Sequence, residues 1–182
     1  MEMILKKIKN KSKFLNILDI GTGSGCIIIS LLKELKKAKG YGVDMSKKAI
    51  DISNRNQKSH NLSSRLKLIK SDFTLQGCDK IFDIIVSNPP YIPNYELKNL
   101  SSEIRLYEPK TALDGGIEGF DILKKVIFFS KKKLKKNGLL ALEIGNNQFE
   151  NIKKVLAKNS FLIMDTFKNI DQDVRCLISI KL

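Results

Sequence analysis

The 182-residue sequence predicts an open α/β fold, a seven-stranded and mostly parallel sheet with helices on both faces. Three observations predict it. Short apolar runs of strand length alternate with longer stretches whose apolar residues recur every three or four positions. The first run ends in an acid and a glycine-rich turn, Asp19-Ile20-Gly21-Thr22-Gly23-Ser24-Gly25. Two later runs also end in single acids, Asp44 and Asp72.

The elements follow in order. Strands are predicted over Asn16 to Ile20, Tyr41 to Asp44, Leu66 to Lys70, Phe82 to Ser87, Leu139 to Ile144, Phe161 to Phe167 and Val174 to Ile180. Cys26 to Lys37, Lys47 to Lys58, Gly119 to Lys136 and Gln148 to Lys158 carry the helical period and are predicted to be right-handed crossover helices. Gly138 is expected at C′ of the third of these, with the cations of Lys131 to Lys136 offsetting the negative helix end. The last strand is expected to run antiparallel. One long stretch, Asn88 to Gly116, lacks clear periodicity, and a loop of that length in a compact domain is usually functional.

Composition narrows the classes. A content of 42% apolar and 29% charged residues suits one globular domain and excludes disorder, while no apolar run approaches the ~20 residues of a membrane span. The N-terminal MEMILKKIKNKSKF spreads its lysines and does not read as a signal peptide, so a cytoplasmic location is expected. Cys26, Cys78 and Cys176 are too far apart for a zinc site or a disulfide framework and are read as reduced packing residues, and no metal is expected. His60, the only histidine, is read as a solvated loop residue. The net charge of +14 would favour a polyanionic partner. Against this, only Arg55, Arg65, Arg105 and Arg175 among the 33 basic residues are arginine, the side chain that usually carries bidentate phosphate recognition. A lysine-biased composition is the preferred reading.

The first half of the chain points to a nucleoside cofactor. The glycines run GxGxG behind Asp19 rather than in the GxGxxG of a dinucleotide site, and they let a ligand approach the backbone at a helix N-terminus. Asp44 follows at roughly the 20-residue distance of a carboxylate that holds ribose hydroxyls. Asp72 could accept from an adenine amino group with the Phe73 ring beside it. Each feature alone also reads as plain structure: a bare turn, an acid before the Ser46 N-cap, a turn acid.

The fourth strand leads into Asn88-Pro89-Pro90-Tyr91. Consecutive prolines supply no N–H donors and hold the preceding residues extended, so this segment is biased toward acceptors. The Asn88 side-chain oxygen and the Pro89 carbonyl can receive both hydrogens of one planar NH2 group, with Tyr91 as a flat wall. A Pro-Pro turn after a strand is the plain structural alternative.

Taken together, LDIGTGSG, GVDMS, SDF and SNPPY, followed by YEPKTALDGGIEGFDIL and LEIGNNQ, resemble the HemK/PrmC family of protein-(glutamine-N5) methyltransferases over roughly residues 15 to 182. The resemblance implies a Rossmann-like class I fold, S-adenosyl-L-methionine as cofactor, and a substrate glutamine in the Gly-Gly-Gln loop of peptide-chain release factors. It further implies that Asp19, Gly21, Thr22, Gly23 and Gly25 hold the methionine part of the cofactor, Asp44 and Met45 the ribose side, and Asp72 and Phe73 the adenine region. Asn88, Pro89, Pro90 and Tyr91 would hold the glutamine, Asn88 also facing the cofactor, and Glu108 and Pro109 would shape the far wall. NPPY is shared with adenine- and guanine-amino methyltransferases of nucleic acid, which stay as an alternative, as does a non-catalytic cofactor-binding fragment. Family members carry an N-terminal helical domain. Here residues 1–182 are expected to be the catalytic domain, with 1–14 the remnant of the helix preceding the first strand.

Overall fold

The computed structural model describes residues 1–74, 80–107 and 109–182. Its strands are β1 (Asn16–Ile20), β2 (Lys39–Asp44), β3 (Leu66–Lys70), β4 (Phe82–Ser87), β5 (Leu134–Glu143), β6 (Phe161–Lys168) and β7 (Val174–Lys181). The helices are α1 (Glu2–Lys7), α2 (Cys26–Glu34), α3 (Lys47–Ser59), α4 (Ser102–Tyr107), α5 (Lys110–Leu113), α6 (Asp121–Lys133) and α7 (Phe149–Lys158). One sheet of order β3-β2-β1-β4-β5-β7-β6 holds all seven strands. The strands from β3 through β5 pair in parallel, and β7 runs antiparallel between β5 and β6. The expected fold class, including the reversed last strand, is the observed one.

Burial on both faces explains why the central strands read as continuous apolar runs. In β4, Phe82 and Ile85 join one core with Leu123, Val126 and Ile127 of α6, while Ile84 and Val86 join the other with Ile28, Leu31 and Leu32 of α2. Ile4 of α1 is buried in that second core. Arg65 closes the end of α2, its guanidinium donating to the carbonyls of Leu32, Leu35 and Ala38 at 2.8 to 3.1 Å. That arginine is therefore structural. No helix among the described residues is long and apolar enough to cross a membrane.

Four expectations are corrected. The third crossover helix ends at Lys133 rather than Lys136, and Gly138 lies inside β5 instead of at a helix C′. Leu134 is buried opposite Phe82, so the chain joins the sheet there and then bulges through Lys135, Lys136 and Asn137 before Leu139 pairs with Ile84. Asn137 takes φ 61°, and Lys135 reaches Asp83 at 2.7 Å, which the helical continuation would not allow. The first helix also stops early, at Glu34, because Leu35 and Ala38 turn into the core. Within the stretch expected to be loop, α4, α5 and a short 3₁₀ turn at Leu97–Asn99 form. Cys26 is exposed at the start of α2 rather than packed, and Cys78 lies outside the described residues. His60 is exposed at the end of α3, as expected.

Candidate functional site

The strand order reverses between β1 and β4, the place where open parallel sheets form a crevice beyond their C-terminal ends. Ile20 pairs with Ser87, and the Ser87 hydroxyl donates to the Ile20 carbonyl at 2.8 Å. The glycine turn and the Asn88 segment therefore leave the sheet side by side. Asp44 and Asp72 follow along the same edge, at the ends of β2 and β3.

The glycine turn is anchored from β2. The N–H groups of Gly21 and Thr22 donate to the Val43 carbonyl, and that of Gly23 donates to Asp44 Oδ2 at 2.9 Å. Ser46 N–H donates to Asp44 Oδ1 at 2.8 Å. Asp44 is thus a structural tie as well as a candidate ligand, a role its position in sequence did not reveal. Gly21 and Gly23 take φ of 71° and 56°, and a Cβ added to either would meet nothing within 4 Å. Space remains in front of the turn.

Asp19 sits behind it, 1% exposed, and its Oδ2 accepts from the Thr22 hydroxyl at 2.8 Å. Its Oδ1 accepts no hydrogen bond from a described residue. Burial pushes the carboxyl up to about 7; the Thr22 hydroxyl and the nearby Ile28 N–H oppose the rise and the Asp44 charge adds to it. The folded chain therefore holds a proton that the unfolded chain releases near 4. This contribution to stability is complete below about pH 4 and is lost as pH rises to about 7. Asp19→Asn keeps an acceptor for Thr22 and should remove that slope. Urea unfolding should show the variant's stability relative to wild type rising between about pH 5 and about pH 8, by on the order of a few kcal/mol.

Asp72 accepts from the Thr74 N–H and hydroxyl at 2.8 and 2.7 Å, and these bonds hold its carboxyl below the usual range. Phe73 packs edge-on against Phe129 with ring centroids 5.6 Å apart. Met45 is 69% exposed beside Asp44.

Asn88 is exposed, and neither its side chain nor the Pro89 carbonyl bonds to a described residue. Asn88, Pro89, Pro90 and Tyr91 line a cleft of about 120 Å³ closed by Ile92, Ala112 and Leu113. The Ala112-Leu113-Asp114-Gly115-Gly116 segment is a strap on the chain that follows β4: Ile92 N–H donates to Leu113, Gly115 N–H donates to Ile92, and Ile92 bridges Asp114 in parallel. Any side chain on Gly115 would collide with the Gly119 carbonyl and the Tyr91 backbone. Pro109 is exposed at the start of α5 and does not line the cleft, so α5 contributes Ala112 and Leu113 instead. Glu108 lies outside the described residues.

Two residues went unassigned from sequence. Gln148 is 7% exposed; its amide nitrogen donates to the carbonyls of Tyr91 and Gly119 at 2.9 and 3.0 Å, and its oxygen accepts from Gly145 N–H at 2.8 Å. Arg175, on β7, lies 5.1 Å from the Tyr91 ring centre and donates to the Tyr91 hydroxyl at 2.9 Å and to Asn146. Together they fix the flat wall of the cleft. Beyond Tyr91 a larger cavity of about 520 Å³ opens toward Gly145 and α7.

The family model described as Methyltransferase small domain matches residues 1–106, which include the glycine turn, both later acids and the Asn88 segment. The chain belongs to this family. It is 33% identical over 181 residues to a release factor glutamine methyltransferase of Caulobacter vibrioides, spanning all of this chain and 62% of that protein. A ribosomal protein uL3 glutamine methyltransferase of Francisella tularensis is 41% identical over 134 residues, which cover 74% of this chain and 42% of that protein. The chain thus spans less than two thirds of the length of these relatives. Among solved structures, a ribosomal protein L11 methylase from Lactobacillus delbrueckii subsp. bulgaricus superposes with a TM-score of 0.68 at 24% identity, covering 98% of this chain and 75% of that one. The fold is the class I S-adenosylmethionine-dependent methyltransferase fold.

The residues present fit the cofactor of that fold. Open space faces Gly21 and Gly23, a buried Asp19 oxygen is unpartnered next to the turn, and a carboxylate and an exposed apolar side chain, Asp44 and Met45, stand together at the next strand end.

Proposed function

We propose that residues 1–182 form a catalytic domain that methylates the side-chain amide nitrogen of a glutamine in a protein, the Gly-Gly-Gln loop of a peptide-chain release factor. The observation that carries this reading is the pair of acceptors, Asn88 Oδ1 and the Pro89 carbonyl, which bond to no described residue and lie beside the glycine turn. Names of relatives that act on release factors and on a ribosomal protein support a glutamine acceptor.

Asp19, Gly21, Thr22, Gly23 and Gly25 would hold the methionine end of the cofactor, Asp44 and Met45 the ribose side, and Asp72 with Phe73 the adenine side. When bound, S-adenosyl-L-methionine supplies an electrophilic methyl group. An amide nitrogen is a poor nucleophile because its lone pair is delocalised, and acceptors on both hydrogens hold it in one orientation toward the donor. Asn88 and Pro89 supply those acceptors, and Tyr91, locked by Arg175 and Gln148, limits the tilt of the amide plane. The amide nitrogen held by Asn88 and Pro89 would accept that methyl group, and its extra proton would then leave to solvent. No side chain has to act as a base beforehand.

Incubation with labelled cofactor, offering release factor, ribosomal protein uL3 and nucleic acid side by side, tests the substrate class. Label in release factor supports the reading; label confined to nucleic acid overturns it.

A further inference from the structure

The larger cavity shares Tyr91 and Ile92 with the acceptor cleft, so a substrate whose amide enters the cleft has its neighbouring chain at the cavity mouth. Its volume, about 520 Å³, lies within the ~300–1,000 Å³ typical of ligand sites. Its lining is chemically distinctive. Asn147 and Asn151 present exposed carboxamides, each able to donate and accept, and Asn146, whose oxygen accepts from Arg175, adds an NH2 donor; this suits the alternating N–H and C=O groups of a polypeptide backbone.

The charge on this wall opposes that of the whole molecule. Glu96 and Glu118 line the cavity, and neither side chain forms an ion pair or hydrogen bond with any described residue. Two nearby cations are already engaged. Arg175 is committed to the Tyr91 hydroxyl and Asn146, with Glu143 at 4.0 Å, while Lys124 lies over the Phe120 ring and pairs with Asp121 at 3.7 Å. A phosphodiester entering here would meet two uncompensated carboxylates, whereas a lysine or arginine would meet its counter-charges.

We propose that this cavity is a subsite for the polypeptide flanking the target glutamine, and that it selects a segment carrying a cationic side chain. The +14 net charge then has no part in choosing the substrate at this site. The proposal rests on the glutamine reading above.

The test uses the full chain and two fluorescein-labelled peptides, both containing Gly-Gly-Gln, one with lysine and one with glutamate in the flank, with binding read by anisotropy. At low salt the lysine peptide should bind about tenfold or more tighter, and E96Q/E118Q should reduce that preference to within about twofold. Both substitutions are at exposed positions and keep the fold, which the thermal midpoint checks. The proposal is overturned if neither peptide binds, if wild type shows no preference, if the preference survives the double substitution, or if an oligonucleotide displaces the lysine peptide from wild type. Methyl incorporation into the same peptides separates the two readings. Flank selection without methylation keeps the subsite and sinks the catalytic reading, and equal methylation of both peptides without selection does the reverse.

Discussion

Asn88→Ala should slow methyl transfer by on the order of a hundredfold or more, about 2.7 kcal/mol of transition-state stabilisation, with cofactor affinity nearly unchanged. The side chain is exposed and makes no bond within the described residues, so its removal costs the fold little. What it removes is one of two acceptors that orient the amide. Binding and rate should therefore separate. Calorimetry gives the first and single-turnover transfer to the protein substrate the second; equal single-turnover rates in wild type and variant would end the acceptor account.

Asp44→Ala should weaken S-adenosyl-L-methionine by about 1.5 to 3 kcal/mol, roughly 10- to 150-fold in Kd. The structure gives this loss two sources. The carboxylate is available to ribose hydroxyls, and it also ties Gly23 and Ser46 N–H to the end of β2, so its removal frees the turn as well. Asp44→Asn keeps one acceptor oxygen for Gly23 or Ser46 N–H but has no charge, so its affinity should fall between those of wild type and alanine. Calorimetry with both variants reads the ordering expected, wild type tightest and alanine weakest. An unchanged Kd in folded Asp44→Ala removes this residue from the site.

The sheet was legible where physics is local. Strands β1 and β4 begin and end where predicted because buried two-faced strands read as unbroken apolar runs, and the edge strand β3, with only Leu66 buried, matched on the alternation of LKLIK before Ser71-Asp72. The end of α6 was not legible. Lysines at 131 to 136 favour helix, and only the burial of Leu134 against Phe82, about 50 residues away, turns the chain into a bulge. The same distance in sequence hid Gln148 and Arg175, whose partners at Tyr91 lie 57 and 84 residues away. Gln148 stood within a noted segment without a role, and Arg175 offered only its rarity among 33 basic residues. The Ala112–Gly116 segment, noted in sequence only as part of the family resemblance, both lines the cleft through Ala112 and Leu113 and straps the segment carrying Tyr91.

Peptide mass spectrometry of the Gly-Gly-Gln fragment, after incubating release factor with this chain and S-adenosyl-L-methionine, tests the central claim most directly. A methyl group located on the glutamine side-chain amide, absent with Asn88→Ala at the same time point, is the result expected. Cofactor binding with that glutamine left unmodified, or a methyl group found on a different residue, would contradict it.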